Sequence, residues 1–394
     1  MMHEFTYCVP TEVTFGAGAC ARVGELAKQH GASRVLVVYG GSSAVRSGLL
    51  DRVCTALAAE GIAYETLGGV QPNPRVSLAR QGVQQAIRMQ ADLILAVGGG
   101  SVIDTAKAVA HGAANPETDI WEFWKKRAPL TKTMPVGVVL TIPAAGSETS
   151  NSAVLTNWEE REKRGLSTQL NRPLFSILDP TLAATLPKKQ VACGVVDILM
   201  HTFDRYFNSV TDNDVTDELA EALLRVVIRH GPAAYADPAD LNAMSEIMWA
   251  GSISHNGLTG LGGTKDFAPH QLGHALSEKF DVYHGESLSA VWPSWAEYCL
   301  PSNPARLARF AEKVWGITCG TETEKAKAGI EAAKAFFRRI DMPVSIGELP
   351  CGVLPPEAIE DLALRCSYGK TRTVGSFRVL GYEDMLAIYQ AANR

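Results

Sequence analysis

The feature that most constrains the fold is a change in residue pattern near position 187. Before it, short β-branched runs alternate with helical stretches, as in RVLVVYGG at 34–41 and ADLILAVGGG at 91–100. After it, strand signals nearly vanish and apolar residues recur at helical spacing, as in DVTDELAEALLRVVIRHG. Alternating strands and helices indicate βαβ units and a parallel sheet, whereas the later spacing indicates helices alone. The sequence therefore predicts an α/β domain over residues 1–186 and an all-helical domain over residues 187–394.

Composition excludes several classes of partner. The net charge of −5 is spread without long runs of like charge, so the chain lacks the basic surface that nucleic acids or anionic membranes attract. The eight cysteines are scattered without a C-x-x-C pair, which is typical of reduced thiols. The first residues, MMHEFTYCVP, do not resemble a signal peptide, and no apolar run reaches about 18 residues. We therefore expect a cytoplasmic protein that binds neither nucleic acid nor membrane.

A glycine turn between a strand and a helix is the first nucleotide signal. In LILAVGGGSVIDTAKAVA, residues 93–110, three glycines follow the strand, and the helix opens with Ser101 and carries Asp104 in its first turn. Backbone N–H groups and the positive end of a helix can hold a pyrophosphate there. Ile103 replaces the third glycine of G-x-G-x-x-G, and no P-loop lysine follows, so a plain tight turn remains an alternative.

Two further turns follow neighbouring strands. VLVVYGGSSAVRSG, residues 35–48, lacks the acidic residue that takes the ribose 2′-hydroxyl of NAD. It offers small and hydroxyl donors and one cation that would tolerate a 2′-phosphate: Gly40, Gly41, Ser42, Ser43 and Arg46. TIPAAGSETSNSAVLTN, residues 141–157, is rich in small and hydroxyl residues suited to a ribose or nicotinamide. Three such turns share one sheet edge in a Rossmann-like domain. The Gly-Gly-Ser-Ser turn of residues 40–43 can also be a plain loop.

A histidine-rich segment marks the second half. Asp197 and His201 lie four apart in a helical context, and APHQLGHALSEKFDVYHG at 268–285 carries three histidines. Imidazole and carboxylate ligands from separate helices can converge on a divalent first-row metal. The glutamate of H-E-x-x-H is absent, because Gln271 stands there, which argues against a metalloprotease. From spacing alone, a metal site and unconnected core histidines remain equal alternatives.

Four segments together resemble the iron-containing (group III) alcohol dehydrogenases, in particular their NADPH-dependent aldehyde reductase and butanol dehydrogenase branch. They are GGGSVIDTAK, TIPAAGSE, ILDPTLAATLPKKQVACGVVDILMH and HQLGHALSEKFDVYHG. The match runs in order from the first residues to about residue 300. The resemblance implies a Rossmann-like α/β domain followed by an all-α domain, in a dehydroquinate synthase-like architecture.

The same resemblance implies a set of site residues. One divalent metal is expected to be held by four side chains: Asp197, His201, His270 and His284. His274 is expected to position substrate or relay a proton, with a core role as the alternative. The pyrophosphate is expected to contact Gly98, Gly99, Gly100 and Ser101. The ribose and nicotinamide are expected at Thr141, Ser147 and Ser150, and the 2′-phosphate at Gly40, Gly41 and Ser42. Asp104 and Lys163 are also expected near the cofactor. The branch usually carries an asparagine at the position of Ser150, so this contact can shift to Asn151.

The implied activity is hydride transfer between NADP(H) and small aldehydes or primary alcohols, dependent on Fe²⁺ or Zn²⁺, with Ni²⁺ or Mn²⁺ as alternatives. A homodimer is also implied, and the alternation in EFTYCVPTEVTFGAGA, residues 4–19, predicts a hairpin at a sheet edge. The main alternative is a dehydroquinate synthase-like, metal- and NAD-dependent lyase. That enzyme needs several cations for a polyanionic substrate, whereas the segments around the predicted ligands offer mainly Lys265, Lys279 and Arg205. A binding subunit without turnover is the third possibility.

Overall fold

The computed structural model describes residues 3–394 and divides into two compact units. The first, called the α/β unit, consists of Cys8–Thr185. The second, called the helical unit, consists of Leu186–Arg394 together with the start of the chain up to Tyr7. The grouping of the first residues with the helical unit is not evident from the sequence. In that unit, His3 Nε2 lies 2.9 Å from the carbonyl oxygen of Thr211.

Short apolar runs form the strands of the α/β unit. Their bounds are Glu12–Phe15 (β1), Arg34–Tyr39 (β2), Ala63–Leu67 (β3), Leu93–Gly98 (β4), Val136–Leu140 (β5), Ser152–Asn157 (β6), Glu162–Ser167 (β7) and Phe175–Leu178 (β8). A six-stranded parallel sheet has the order β1-β8-β5-β4-β2-β3, and β6 pairs antiparallel with β7 in a separate hairpin. Every residue of β4 and β5 is buried, as expected for central strands covered on both faces. The predicted α/β fold with a parallel sheet is confirmed.

Helices cover both faces of this sheet. Their bounds are Val23–Gln29 (α1), Ser42–Arg46 (α2), Leu49–Ala59 (α3), Val76–Arg88 (α4), Gly100–Ala114 (α5) and Ile120–Trp124 (α6). Val35 and Val37 of β2 pack in one apolar cluster with α1 and α3. The helices α4, α5 and α6 share a second cluster with the β6–β7 hairpin. Because alternate residues of a strand point to opposite faces, the sheet lies between two apolar layers.

Three neighbouring strands end at the same edge of the sheet. Tyr39 of β2 pairs with Val97 of β4, and Gly98 pairs with Leu140 of β5. The turns that follow β2, β4 and β5 therefore lie side by side at the carboxyl edge, as the sequence predicts.

The predicted hairpin at residues 4–19 is wrong, although the segment does form an edge of the sheet, as expected. Within the described part of this segment, β1 is the only strand, and it pairs in parallel with β8, from Glu12 opposite Phe175 to Phe15 opposite Leu178. An alternating pattern shows that one face of a strand is covered but does not identify the partner. Here the partner is about 160 residues away in the sequence rather than adjacent.

The helical unit is built from longer amphipathic and buried helices. Their bounds are Lys188–Tyr206 (α7), Asp214–Ala236 (α8), Leu241–His255 (α9), Ala268–Phe280 (α10), His284–Cys299 (α11), Pro304–Trp315 (α12), Glu322–Arg339 (α13), Pro356–Cys366 (α14) and Tyr382–Ala392 (α15). This confirms the predicted all-helical second half. Of the helices within residues 3–394, none has the length and apolar character needed to cross a lipid bilayer.

Helix α7 is the central element of the helical unit. It contacts α8, α9, α10 and α11, and every residue from 194 to 206 is buried. A helix that is covered all round normally carries apolar residues only. The charged and imidazole side chains of α7 are therefore exceptions that need partners.

Candidate metal centre and nucleotide site

Three polar residues of α7 lie on one face of the buried helix. Asp197, His201 and Asp204 occupy positions i, i+4 and i+7, which place their side chains on successive turns. All three are buried. Helix α7 thus presents two carboxylates and an imidazole to one region of the interior.

Helices α10 and α11 bring two more imidazoles to that region. His270 lies in the first turn of α10, and His284 is the first residue of α11. Gly285 explains the close approach of α11 to α7, because a Cβ at this position would lie 2.5 Å from the carbonyl oxygen of Cys193. Cys193 is one turn before Asp197 on α7, so this contact between backbones places His284 beside Asp197.

The four predicted metal ligands come together around one oxygen atom. Asp197 Oδ1 lies 3.3 Å from His201 Nδ1, 3.6 Å from His270 Nε2 and 3.7 Å from His284 Nε2. One ligand atom from each of Asp197, His201 and His270 falls within 4.8 Å of the other two. We call Asp197, His201, His270 and His284 the ligand cluster.

The donor atoms of the cluster are suited to a cation. Asp197 Oδ1, His201 Nδ1 and His270 Nε2 are buried and have no hydrogen-bond partner within the described chain. Leaving buried polar atoms unpaired costs about 1–3 kcal/mol each, so three converging ones favour the binding of a group that compensates for their lost hydration. Three imidazoles and one carboxylate form a donor set typical of Zn²⁺ or Fe²⁺.

The protonation of the cluster is set by its surroundings. Burial, followed by the neighbouring imidazoles of His255 and His270, holds the pKa of His201 well below its ordinary value, so this ring is neutral and offers a lone pair. Burial also lowers the pKa of His270, but the carboxylates of Asp204 and Asp197 outweigh it and raise this pKa to about 9. A cation must therefore displace a proton from His270.

Asp204 is a further residue beside the cluster that the sequence analysis did not identify. Its Oδ2 is paired with His270 Nδ1, the nitrogen opposite the one in the cluster. A carboxylate on the distal nitrogen fixes the tautomer and orientation of a metal-binding imidazole. The i, i+4, i+7 spacing of Asp197, His201 and Asp204 is the signal that was available for finding it.

Two further histidines border the cluster. The ring of His274, on α10, is centred 5.2 Å from that of His284 and 6.2 Å from that of His270. The ring of His255, the last residue of α9, is centred 4.0 Å from that of His201. His274 lies where the sequence analysis expects it, whereas no spacing or motif points to His255.

In the α/β unit, the glycine turn joins β4 directly to α5. A Cβ on Gly98 would lie 2.4 Å from Cγ2 of Val102, and a Cβ on Gly100 would lie 3.0 Å from Cβ of Ala145. Only glycine therefore lets the chain pass so close to its own helix and to the turn after β5. Helix α5 begins at Gly100, after Gly99 as its N-cap, so its first N–H groups, including that of Ser101, lie at the carboxyl edge.

Residues 147–152, which we call the 147–152 segment, form the last part of the turn after β5 and the first residue of β6. Ser147 and Ser150, both predicted to contact the cofactor, are buried. The Ser147 hydroxyl donates to Asp104 Oδ1 at 2.6 Å, and the Ser150 hydroxyl donates to the carbonyl oxygen of Ser152 at 3.3 Å. The other Asp104 oxygen accepts from the Val154 amide at 2.8 Å. These polar groups have partners within the unit, and a direct cofactor contact for them stays a prediction.

The remaining predicted cofactor residues lie in the three turns or beside them. Gly40 and Gly41 lead from β2 into α2, where Arg46 Nη1 donates to the hydroxyl of Ser42. Thr141 directly follows β5, and its amide donates to the carbonyl oxygen of Gly98 at 3.1 Å. Lys163 of β7 donates to Asn73 Oδ1 at 2.9 Å. The structure thus gives Ser42 a cationic neighbour at the end of β2.

Comparisons with known proteins agree with this architecture. The family model for iron-containing alcohol dehydrogenase matches residues 10–180, and the model for the C-terminal part of the Fe-containing alcohol dehydrogenase family matches residues 191–393. The two matches cover most of the α/β unit and most of the helical unit.

Individual relatives match over nearly the whole length. The chain is 38% identical to NADH-dependent butanol dehydrogenase A of Clostridium acetobutylicum, over 99% of both proteins. It is 36% identical to the NADPH-dependent aldehyde reductase YqhD of Escherichia coli, over 88% of this chain and 89% of that protein. The crystal structure of NADH-dependent butanol dehydrogenase A from Thermotoga maritima aligns with a TM-score of 0.95 at 34% identity, over 100% of this chain and 99% of that one. On these matches, the chain belongs to the iron-containing alcohol dehydrogenase family of oxidoreductases.

Proposed function

We propose that this protein transfers hydride between NADP(H) and small aldehydes or primary alcohols, with a divalent metal held by the ligand cluster. The observation that carries the proposal is the convergence of three buried donor atoms, on Asp197, His201 and His270, that have no hydrogen-bond partner within the described residues. His284 is the proposed fourth ligand. Its side chain is 28% exposed, so a small substrate can approach the cluster from this side.

The protein residues hold the metal and fix the proton positions around it. When bound, a divalent cation, Fe²⁺ or Zn²⁺ in this proposal, polarises the aldehyde oxygen as a Lewis acid, and the reduced nicotinamide supplies the hydride. Asp204 keeps the proton of His270 on Nδ1, so that Nε2 faces Asp197 as a donor atom. The neutral ring of His201 needs no deprotonation before it binds a cation.

His274 is proposed to orient the substrate or to relay the proton that completes the reduction. Its ring is centred 5.2 Å from that of His284, the more exposed of the proposed ligands. An imidazole can give or take a proton near neutral pH. The Asp197, His201, His270 and His284 side chains are then the metal-binding part of the catalytic site, and His274 is the proton-handling part.

The preference for small uncharged substrates rests on the residues around the cluster. Val195, Val196, Ile198 and Leu199, which flank Asp197 in the sequence of α7, are buried and apolar, so α7 carries no further charge within two residues of Asp197. The ring of Phe267 meets that of His270 edge-on, with centroids 5.4 Å apart. The printed names of the relatives, a butanol dehydrogenase and an aldehyde reductase, agree with such substrates.

NADP(H) rather than NAD(H) is proposed as the preferred cofactor. Gly98, Gly99, Gly100 and Ser101 are the proposed pyrophosphate residues, since they lead into the N-terminus of the 15-residue helix α5. The exposed Ser42–Arg46 pair at the end of β2 is the proposed site of the 2′-phosphate. The relatives carry both NADH and NADPH in their names, so this preference is a property to be measured on this chain.

The proposal is tested by metal analysis of the purified protein together with NADPH oxidation across a panel of small aldehydes. We expect about one divalent ion per chain, and NADPH oxidation that stops when a chelator removes the ion and resumes when it is restored. Cofactor binding without net NADPH consumption for any aldehyde would contradict the proposal. That result would favour the lyase alternative, which regenerates its cofactor.

A homodimer is also proposed, on the resemblance to the family. Light scattering is expected to return a species of twice the 42.3 kDa chain mass. A single 42.3 kDa species would contradict it.

A further inference from the structure

The 147–152 segment runs from the turn after β5 to the first residue of β6, and all six of its carbonyl oxygens accept hydrogen bonds from side chains. Buried backbone outside helices and sheets must find hydrogen-bond partners for its polar groups on side chains or other backbone. Here Ser147, Glu148, Thr149 and Ser150 are at most 3% exposed. Their carbonyl oxygens, with those of Asn151 and Ser152, accept hydrogen bonds from side chains on α5, on β8 and on the stretch before β8.

One side chain supplies several of these donors. The ammonium of Lys107, on α5, donates to the carbonyl oxygens of Ser147 at 2.7 Å, Ser152 at 2.8 Å and Ser150 at 3.4 Å, and to the Ser147 hydroxyl at 2.7 Å. Lys107 is 0% exposed. A buried ammonium is costly unless its hydrogens are used, so its position depends on this segment and the segment depends on it.

Other donors complete the attachment at single points. The Ser176 hydroxyl donates to the carbonyl oxygen of Glu148 at 2.6 Å, and Asn171 Nδ2 donates to that of Asn151 at 3.0 Å. Arg172 donates to the carbonyl oxygen of Thr149. Each of these contacts fixes one residue, whereas Lys107 fixes three.

Lys107 therefore couples two turns at the carboxyl edge of the sheet. It lies two turns along the helix that starts at Gly100, and its acceptors belong to the turn that follows β5. Asp104, on the same face of α5, binds Ser147 and Val154. The pyrophosphate end of α5 and the 147–152 segment are thus held in one fixed relation by two side chains of a single helix.

We infer that Lys107 is a positioning residue for the cofactor: it holds the 147–152 segment so that the nicotinamide half of the nucleotide finds a preformed surface, without touching the nucleotide itself. The inference rests on the proposed function, because it assumes that the turns after β4 and β5 bind NADP(H). Preforming a loop removes the ordering cost from the binding step. Burial lowers the pKa of Lys107 to about 8 although the Asp104 and Glu148 carboxylates oppose it, so the ammonium form still prevails at neutral pH.

The inference predicts a difference between two ligands. NADPH should need the segment, whereas 2′,5′-ADP, which is the adenosine half alone, should not. In Lys107→Met, which keeps the length of the side chain without its donors, we expect NADPH to bind at least about tenfold more weakly and 2′,5′-ADP to bind within about twofold of the unchanged protein. Calorimetry measures both dissociation constants.

A control and a second variant test whether weaker NADPH binding results only from a less stable protein. Asn115→Ala removes a buried amide at the other end of α5, where Nδ2 donates to the carbonyl oxygens of His111 and Lys132. It should lower stability and leave both affinities unchanged. Ser176→Ala removes one hydroxyl that holds the segment and is small enough to fold. This variant should also bind NADPH more weakly, by a few-fold, without a change in its affinity for 2′,5′-ADP.

The outcomes separate the inference from the proposed function. Equal weakening of both ligands in Lys107→Met, or no weakening of either, would overturn the positioning role. If Lys107→Met does not fold, Ser176→Ala decides: an unchanged ratio of the two dissociation constants overturns the role. An unchanged protein that binds neither ligand overturns the proposed function and the positioning role with it.

Discussion

The ligand cluster of the helical unit and the 147–152 segment of the α/β unit are both buried and polar, but they differ in how their polar atoms are paired. In the cluster, Asp197 Oδ1, His201 Nδ1 and His270 Nε2 converge without hydrogen-bond partners in the described chain. In the segment, each of six carbonyl oxygens accepts a hydrogen bond from the protein.

This difference distinguishes a binding site from a support. A fold tolerates converging unpaired donor atoms when a ligand compensates for their lost hydration, whereas a fully paired segment needs nothing more to remain in place. We therefore expect a metal ion to bind and stabilise the cluster. The 147–152 segment should change only when one of the side chains that donate to it is removed. The following predictions test that distinction.

The largest effect is expected from Asp197→Ala. Asp197 Oδ1 is the atom nearest to the other donors, so we expect turnover to fall at least about thousandfold, which is about 4 kcal/mol of transition-state stabilisation. The fold should persist, because Asp204 remains as the buried carboxylate partner of His270. Thermal unfolding with and without added metal checks this.

The unchanged protein should gain stability from the ion, by about 2.7 kcal/mol when the free metal is 100 times its dissociation constant. Asp197→Ala should gain none. Near-full turnover of the variant after metal removal would refute the proposed role of the ion.

A smaller effect is expected from a buried histidine that is fully paired. His111 of α5 donates from Nε2 to Asn171 Oδ1 at 2.7 Å, and its Nδ1 lies 2.7 Å from Thr133 Oγ1. Burial lowers its pKa to about 4. The unfolded chain therefore binds a proton between about pH 6.5 and pH 4 that the folded chain does not, so stability falls as the pH falls through this range.

Between pH 6.5 and pH 4.5, the loss of stability attributable to His111 should be about 2 kcal/mol. Urea unfolding of the chelated protein at pH 6.5 and pH 4.5 measures it, and His111→Gln should remove this part of the pH dependence. A variant with the same pH dependence as the unchanged protein would show that His111 does not titrate in this way.

Asp204→Asn tests the partner that orients a cluster imidazole. The amide can no longer hold the proton of His270 on Nδ1 as a carboxylate does, so we expect the affinity for the metal to fall 10- to 100-fold. Competition with a chelator measures the change. Asp217→Asn is the matched control, since Asp217 is a buried aspartate of the same unit that is paired with Arg306. It should lower stability without changing metal affinity, and an equal loss in both variants would contradict a specific role for Asp204.

The sequence predicts the elements of both regions better than their contacts. The buried runs of β4 and β5 and the periodic helices of the second half are evident because each pattern is local. The β6–β7 hairpin was not predicted, since Glu162, Lys163 and Arg164 give β7 no apolar alternation. The hairpin at 4–19 was predicted wrongly, because alternation does not identify the partner strand.

The ligand cluster and the 147–152 segment also differ in how far the sequence predicts them. Asp197 and His201 share a helix face that spacing predicts, and the family resemblance adds His270 and His284. Lys107, by contrast, is the last residue of the GGGSVIDTAK segment, and nothing in that segment indicates which groups it binds. Its burial depends on acceptors 40 to 45 residues away, a relation that no local pattern contains. A paired support is therefore harder to predict than a cluster of residues with characteristic chemistry.

The smallest effect is expected at the end of β2, where the contact is exposed. Arg46 donates to the hydroxyl of Ser42, and no acidic residue lies in the segment 35–48. We expect NADPH to bind at least about tenfold more tightly than NADH, which is about 1.4 kcal/mol. Arg46→Ala should reduce that ratio towards one by weakening NADPH alone, because NADH lacks the phosphate. Because the proposed contact between Arg46 and the 2′-phosphate is exposed, NADPH binding should also weaken as the salt concentration is raised. Arg88→Ala, which removes another exposed arginine of the same unit, should leave the ratio unchanged.

Equal affinities in the unchanged protein would show that the turn after β2 does not recognise the 2′-phosphate, while the ligand cluster and the 147–152 segment would keep their proposed roles with NADH as the cofactor.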